Sequence, residues 1–191
     1  MAYTTTAAIK AYLGETGADD DALLDVLVVA AQAWVDAHTS RTFEASADST
    51  RYLDCSSPTV DGRRLRLDKD LCAITSITNG DGVAVASADY VTEPRNETPY
   101  YAIILKASKG LYCTYTDDVE NAITIVGKWA YSTTAPSGVA QATLRLAAYM
   151  YRQKDAQVFD VTAMPEAGVI TVPQGMPKDV KLMLQPYVRR V

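Results

Sequence analysis

Apolar residues recur at helical spacing in the first part of the chain. The pattern predicts one helix over residues 5–13, ended by Gly14, and a second helix from about Asp20 to His38. The acidic run at residues 19–21 is predicted to cap the second helix and to stabilise the positive end of its dipole. One face of this helix is predicted to be buried, and its stripe comprises Leu23, Leu24, Leu27, Val28, Ala31, Trp34 and Val35.

Between Arg51 and Tyr131 the hydrophobic period falls to two, which is typical of half-buried strands. Short strands are predicted throughout this region, including one at residues 111–115. Residues 79–82, Asn-Gly-Asp-Gly, lie between two alternating runs and predict a hairpin turn. The same glycines do not predict a phosphate-binding loop, because there is no G-x-x-x-x-G-K pattern and no helix is predicted after them.

After the strand region the helical spacing returns. It predicts a helix over residues 137–155, followed by a loop at residues 156–168 that has little periodicity. Residues 168–175 predict one short strand. A last helix is predicted to begin near Pro177 and to be ended or kinked by Pro186.

Two helical pieces therefore bracket a β-rich middle. Each helical stripe needs an apolar partner, and the simplest arrangement packs the two pieces on each other. The sequence predicts an α+β fold. Residues 1–48 and 135–191 would form a small helical bundle from the N- and C-terminal helices, and residues 49–134 would be a β-rich insertion between them.

The composition is that of a soluble globular protein. The 191 residues are 48% hydrophobic and 21% charged, and no apolar run approaches the ~20 residues that a membrane helix needs. The first residues lack a basic and then apolar signal, so we expect neither secretion nor membrane association. Cys55, Cys72 and Cys113 are odd in number and form no C-x-x-C pair, which favours buried, reduced thiols in a cytosolic setting.

Charge is distributed unevenly along the chain, although the net charge is only −5. Residues 1–50 carry two basic and eight acidic side chains, a balance of −6, whereas residues 136–191 carry seven and four, a balance of +3. This distribution argues against general nucleic-acid binding, which needs a basic face. It suits a protein whose two ends meet different surfaces, and equally a protein with scattered, solvated charge.

Candidate chemistry is sparse. The lone histidine, His38, is predicted at the end of the second helix, where the helix dipole favours it, so a structural role is preferred over a catalytic one. Acidic residues at 19–21 and 117–118 lack the spacing of a metal-binding motif, and no nucleophile motif is present. We therefore expect no enzyme activity, no metal and no cofactor.

Twelve tyrosines leave a second function open. Tyrosines on strands can stack single-stranded nucleic acid, but they are also favoured in strands and enriched at protein interfaces. The alternative to a structural protein is therefore a small nucleic-acid or ligand-binding module that uses the tyrosine-rich sheet. The slight acidity of the middle region weakens this alternative.

Four stretches of the sequence together resemble one family. They are residues 7–43, beginning AAIKAYLG; residues 65–91, beginning LRLDKDLCAITSITNG; residues 123–155, ITIVGKWAYSTTAPSGVAQATLRLAAYMYRQKD; and residues 175–190, GMPKDVKLMLQPYVRR. In order and spacing they are similar to the head–tail connector (adaptor) proteins of long-tailed bacteriophages, in particular a longer subgroup with a β-rich insertion. The family often has glycine at the exit of the second helix, where this chain has Ser40. A left-handed serine there would cost about 1 kcal/mol, or the exit would shift.

The resemblance implies a structural virion protein and not an enzyme. Its copies would form a ring, expected to be a dodecamer, beneath the portal protein and would extend the DNA channel toward a further tail or stopper component. Duplex DNA would pass the lumen without specific binding, because an acidic protein offers few ion pairs to phosphates. The protein would lie at the head–tail junction of the virion, and in the host cytoplasm during assembly.

The resemblance also implies a portal contact at the C-terminal segment. An amphipathic helix followed by arginines suits docking on a partner surface. The alternative is that Val180 and Met183 in this segment only close the core of the monomer. The predicted contact residues, for the portal or a neighbouring copy, are Lys178, Lys181, Tyr187, Arg189 and Arg190, with Phe159 and Met164 in the 156–168 loop.

Overall fold

The chain forms two compact units. The helical unit comprises residues 2–40 and 136–191, and the β unit comprises residues 41–135. Helices and antiparallel sheets are thus largely segregated along the sequence, so the predicted α+β class is confirmed. The computed structural model describes residues 2–156, 162–164, 169–171 and 175–189.

Among these residues, the helices are α1 (Thr6–Leu13), α2 (Asp21–Thr39), α3 (Ser137–Ala156) and α4 (Lys178–Leu184). The strands of the β unit are β1 (Ser49–Leu53), β2 (Val60–Asp61), β3 (Arg64–Leu71), β4 (Ala73–Thr78), β5 (Tyr90–Glu93), β6 (Tyr100–Leu105) and β7 (Ile123–Lys128). The helical unit adds β8 (Thr162–Met164) and β9 (Val169–Thr171).

In the helical unit, α2 and α3 pack along each other, α1 lies against both, and α4 packs on α3. The buried line of α2 follows helical spacing, because Leu24, Val28, Ala31 and Val35 are all almost inaccessible to solvent. The N- and C-terminal parts of the chain therefore share one core. Its other fully buried side chains include Ile9, Val139, Leu146, Val180 and Leu184.

Trp34 does not belong to this core, and the predicted stripe is wrong at this position. Its side chain is 46% exposed, whereas the adjacent Val35 is fully buried. Consecutive residues on an α-helix are about 100° apart, so Trp34 projects away from the buried line. Because α2 is apolar on more than one face, helical spacing alone did not separate the two positions.

α2 ends at Ser40, which adopts the left-handed conformation with φ of 55°. Its backbone N–H donates to the carbonyl of Asp36 and closes the last turn. Of the two outcomes expected for serine at this exit, the structure has the left-handed cap. Serine accepts that conformation less readily than glycine because its Cβ crowds the backbone.

The β unit contains two antiparallel sheets. One has the strand order β1–β7–β4, and the other has the order β2–β3–β6–β5. β7 is central in the first sheet, and its side chains alternate between buried and half-buried, as expected for a strand with one face in a core. The core of this unit is formed by Leu53, Leu65, Leu67, Leu71, Ile77, Ile103, Ile123, Ile125 and Trp129.

Residues 111–115 do not form the predicted strand. The side chain of Asn79 holds this segment instead. Its amide nitrogen donates to the Tyr112 carbonyl at 3.0 Å and to the Thr114 hydroxyl at 2.9 Å, and its oxygen accepts from the Thr114 N–H at 3.1 Å. A side chain that bonds backbone groups in this way competes with a strand ladder. The predicted turn is confirmed, since the Asn79 N–H donates across it to the Val83 carbonyl at 2.9 Å.

The predicted loop at residues 156–168 contains a strand, which is a second correction. β8 pairs antiparallel with β9, with Ala163 opposite Ile170. Each of these strands spans three residues. Alternation cannot be recognised over so short a length, so the hydrophobic pattern did not reveal β8.

Candidate functional site

The described residues hold no group of three or more histidine, cysteine, aspartate or glutamate side chains placed to bind a metal ion. His38 lies exposed in the last turn of α2, at the helix end where the sequence placed it. The surface of the helical unit carries the C-terminal residues predicted to bind partners, so that surface is the candidate functional site.

The three cysteines are free thiols. Cys72 is buried, and Cys55 and Cys113 are partly buried. Burial raises the pKa of each thiol, and the nearby Cys55 adds to the rise at Cys113, whose pKa reaches about 11. Thiols with a raised pKa are weak nucleophiles at neutral pH, which fits a packing role.

α4 packs on α3 along one side and is exposed to solvent along the other. Val180 is fully buried and closes the helical core, whereas Lys178 and Lys181 are exposed. The Arg145 guanidinium of α3 donates to the Asp179 carboxylate of α4 at 2.7 Å. The two lysines therefore project from a helix that is held in place on α3.

The residues after α4 are also bound to the helical unit. The ring of Tyr187 lies over Gly138 at the start of α3, where an added Cβ would be 3.2 Å from the Tyr187 hydroxyl oxygen. The backbone N–H of Arg189 donates to the Thr39 carbonyl at the end of α2, over 3.0 Å. Both side chains are half-buried. Tyr187 and Arg189 thus contribute to the structure of the helical unit as well as to its surface.

The remaining predicted contact residues are Arg190, Phe159 and Met164. Arg190 and Phe159 lie outside the described residues. Met164 is the last residue of β8, and its backbone is opposite that of Val169.

A groove of about 590 Å³ lies beside Lys181. Its lining from α2 is Ala33, Trp34, Ala37 and His38, and its lining from the segment before α4 is Gly175 and Met176. An added Cβ on Gly175 would be 3.4 Å from the Trp34 ring, so the indole and this segment are in close contact. An aromatic wall with a lysine at its edge suits an inserted side chain of a partner. Sequence reasoning identified Lys181 but assigned Trp34 to the core.

α2 carries a second apolar stripe on the side opposite its buried line. Val26 is 64% exposed and Val29 is 67% exposed. Together with the exposed Ala22, Ala33 and Ala37, they form what we call the outer face of α2. Sequence reasoning missed this face. The signal was present, because these five positions recur every three or four residues, as the buried ones do.

A polar edge separates the two stripes of α2, and the N-terminal segment occupies it. Asp36 accepts from the Tyr3 hydroxyl at 2.7 Å, the Gln32 side-chain oxygen accepts from the Tyr3 N–H at 3.2 Å, and Asp25 accepts from the Thr6 hydroxyl. Burial raises the pKa of Asp36, and the bond from Tyr3 opposes this rise. The N-terminal segment therefore covers the edge and leaves the outer face open.

The acidic start of α2 acts differently from the predicted cap. Asp20 makes no side-chain capping bond. Its carboxylate accepts from the Tyr151 hydroxyl at 2.5 Å and from the Lys154 ammonium at 3.0 Å. The bond from Tyr151, followed by that from Lys154, lowers the pKa of Asp20. Asp20 thus joins the start of α2 to the end of α3.

The exposed tyrosines of the β unit are dispersed. Tyr52 lies on β1 and Tyr101 on β6, which belong to different sheets. The Arg63 guanidinium lies 4.4 Å from the ring centroid of Tyr112 and donates to its hydroxyl at 2.8 Å. The described tyrosines therefore do not share one sheet face on which successive bases could stack.

No protein-family model and no curated protein matches the chain. Solved structures are similar to it. A chain from the neck of an empty gene transfer agent (GTA) particle, computed with C6 symmetry, matches 97% of this chain and 90% of its own length, with a TM-score of 0.58 and 17% identity. A chain from the neck of the native GTA particle, computed with C12 symmetry, matches 97% and 89%, with a TM-score of 0.55 and 15% identity. A chain from the virion of the native particle matches 97% and 90%, with a TM-score of 0.54 and 18% identity. At these identities the likeness establishes a shared fold.

Proposed function

We propose that this protein is a structural subunit in the neck of a phage-like virion. One observation carries the proposal: the similarity to GTA neck chains extends over 97% of the chain. The match therefore includes the β unit as well as the helices. It is more extensive than a similarity between two helical hairpins would be. Neck proteins act through the surfaces they present to neighbours, which agrees with the exposed surfaces of the helical unit.

The specific role that we propose is that of a head–tail adaptor. Copies of the chain form a ring, a dodecamer, beneath the portal protein and extend the DNA channel toward the next tail or stopper component. A head-to-tail contact that closes on itself generates such a ring. In this role residues 1–48 and 135–191 act as a discontinuous helical domain, and residues 49–134 act as an inserted β-rich domain.

In the proposed ring, α4 faces the portal. Lys178 and Lys181 are exposed on a helix that is anchored at Val180, so they can meet a partner without first being ordered. The groove beside Lys181 offers Trp34 as an aromatic anchor, a residue type that often dominates binding energy at interfaces. Tyr187 and Arg189, which are half-buried after α4, complete the described part of the proposed contact.

The net charge fits a channel through which DNA must slide. With a charge of −5, the chain offers a duplex few ion pairs, and specific DNA binding is not part of the proposed function. The protein would be made in the host cytoplasm and end in the virion.

Electron microscopy of purified portal rings mixed with the full-length protein tests this role. We expect an additional ring of density beneath the portal. The double variant Lys178→Glu, Lys181→Glu should weaken attachment, because it reverses the charge of the proposed contact. Lys69→Glu combined with Arg95→Glu is the matched control, since it makes the same charge change at exposed positions of the β unit. Absence of any ring on the portal would contradict the proposed function, and equal attachment of both double variants would contradict the assignment of α4.

A nucleic-acid or ligand-binding module remains the alternative, and the exposed tyrosines are the observation in its favour. Titration of labelled single-stranded DNA at low salt separates the two functions. Tight binding that weakens steeply with salt would support the module. The dispersion of Tyr52, Tyr101 and Tyr112 leads us to expect weak binding.

A further inference from the structure

We propose that the outer face of α2 packs against a second copy of this chain, in the head-to-tail contact of the ring. This inference rests on the proposed ring and adds the surface through which one copy meets the next. The residues that carry it are Val26 and Val29, with Ala22 beside them. Ala33 and Ala37 of the same face line the groove assigned to the portal, so this contact is confined to the first half of α2.

The composition of α2 indicates a helix that is covered on two sides. An 18-residue stretch of α2 has a mean hydropathy of 1.2, yet only 28% of that stretch is buried. A helix of this hydrophobicity is normally buried on most of its surface. The helical core covers the line through Leu24, Val28 and Val35, and the N-terminal segment covers the polar edge. Among the described residues, nothing covers the outer face.

The chemistry of the outer face favours a protein partner over lipid. By length and composition alone α2 could span a membrane, but Asp25 and Asp36 border the face, and a spanning helix would carry both into the hydrocarbon region. The alanines make the face shallow, which allows a partner to approach the helix backbone closely. Val26 and Val29 then supply the apolar area that contact would remove from water.

A second copy carries a complementary surface on another side of the helical unit. There Arg152 lies exposed on α3, beside Tyr12 and Tyr149, at a groove of about 190 Å³ that also holds the Arg145–Asp179 ion pair. Asp25, the exposed acidic residue beside the outer face, and Arg152 have opposite charges. A head-to-tail contact joins two different surfaces of one chain, so charge complementarity between them favours this pairing and disfavours a contact of α2 with α2.

Photo-crosslinking of the full-length protein tests the contact. A photoreactive phenylalanine derivative replaces Val29, and the protein is illuminated in rings assembled on purified portal. Because each copy would crosslink to the next, we expect a ladder of multimers on a denaturing gel. Mass spectrometry should place the crosslinks in peptides that contain Tyr12 or residues 145–152. The same derivative at Val83, an exposed valine of the β unit, is the matched control and should give no ladder.

Each other outcome contradicts a stated part of the inference. Dimers alone would show an α2-to-α2 contact and overturn the head-to-tail assignment. A ladder whose crosslinks lie elsewhere would overturn the arginine side as the acceptor. Crosslinks confined to one copy or to the portal would overturn the whole inference while the proposed function stands. If no ring forms on the portal even with the unmodified protein, it is the proposed function that fails.

A charge substitution gives an independent measure. Val29→Lys should weaken association between copies more than about tenfold, because contact would have to remove the ammonium from water. Val83→Lys should leave association unchanged. Both positions are exposed, so circular dichroism and thermal unfolding should match the parent protein. Equal association of the two variants would overturn the role of Val29.

Discussion

The backbone N–H of Arg189 donates a hydrogen bond to the carbonyl of Thr39 across 3.0 Å, and this bond ties the segment after α4 to the end of α2. The last carbonyls of a helix have no partner within the helix, so they need partners from elsewhere. Here the far end of the chain supplies one. The bond therefore helps to close the core that the two ends of the sequence share.

Arg189→Pro removes this donor and keeps the chain length. We expect the free energy of unfolding to fall by about 0.5–1.5 kcal/mol, the usual net value of one such hydrogen bond. Val188 has φ of −63° and ψ of 126°, a conformation that a following proline tolerates. Arg189→Ala keeps the N–H and is the control. Chemical denaturation measures both, and equal losses would show that the backbone bond does not stabilise the unit.

Trp34→Ala should cost about 1–2 kcal/mol of stability, because the indole is half exposed and its buried part contacts the segment before α4. Leu24→Ala, on the buried line of the same helix, should cost about 2–5 kcal/mol. The comparison by urea denaturation separates the two faces of α2. A loss above about 3 kcal/mol for Trp34→Ala would place the indole in the core after all.

Ser40→Gly should stabilise the protein by up to about 1 kcal/mol, because glycine enters the left-handed region without the Cβ strain of serine. Ser108→Gly, at an exposed position without a positive φ, should leave stability unchanged or lower it. Thermal unfolding of the two variants makes the comparison. A lower melting temperature for Ser40→Gly would show that serine makes a compensating interaction there.

Long helices were predictable from this sequence. Short strands, and a segment held by the side chain of a distant residue, were not. α3 begins at the predicted residue, Ser137, because a pattern repeated over five turns fixes position well. β8 is too short to show a pattern, and residues 111–115 are held by a side chain from a distant turn. At the candidate site, Lys181 was predicted from the family resemblance of the C-terminal segment. Trp34 was assigned to the core because α2 has two apolar stripes with the same spacing.

Asn79→Ala removes three hydrogen bonds to the segment at residues 111–115. We expect a loss of about 1–3 kcal/mol, because a partly buried backbone carbonyl and N–H lose their partners. Hydrogen exchange should show faster exchange of the Thr114 amide in the variant. Asn96→Ala, at an exposed position, is the control and should change neither quantity.

Cys113 should react slowly with iodoacetamide at pH 8. The thiolate is the reactive form, and a pKa of about 11 leaves a very small thiolate fraction at that pH. The rate should rise with pH until the pKa is reached. Val83→Cys provides an exposed reference thiol in the same protein, and mass spectrometry of the labelled peptides separates the sites. Equal rates at the two positions would contradict the raised pKa.

The place of the β unit in the chain sets an order for folding during translation. α2 ends where that unit begins, and α3 starts where it ends. The ribosome therefore completes the sheets before it makes the helix against which α2 packs. We expect the sheets to form first. Until α3 is made, α2 lacks its packing partner and should be only marginally stable. Limited proteolysis of stalled nascent chains that lack α3 would detect this as a protected β unit with a cleavable α2, and protection of α2 in those chains would refute it.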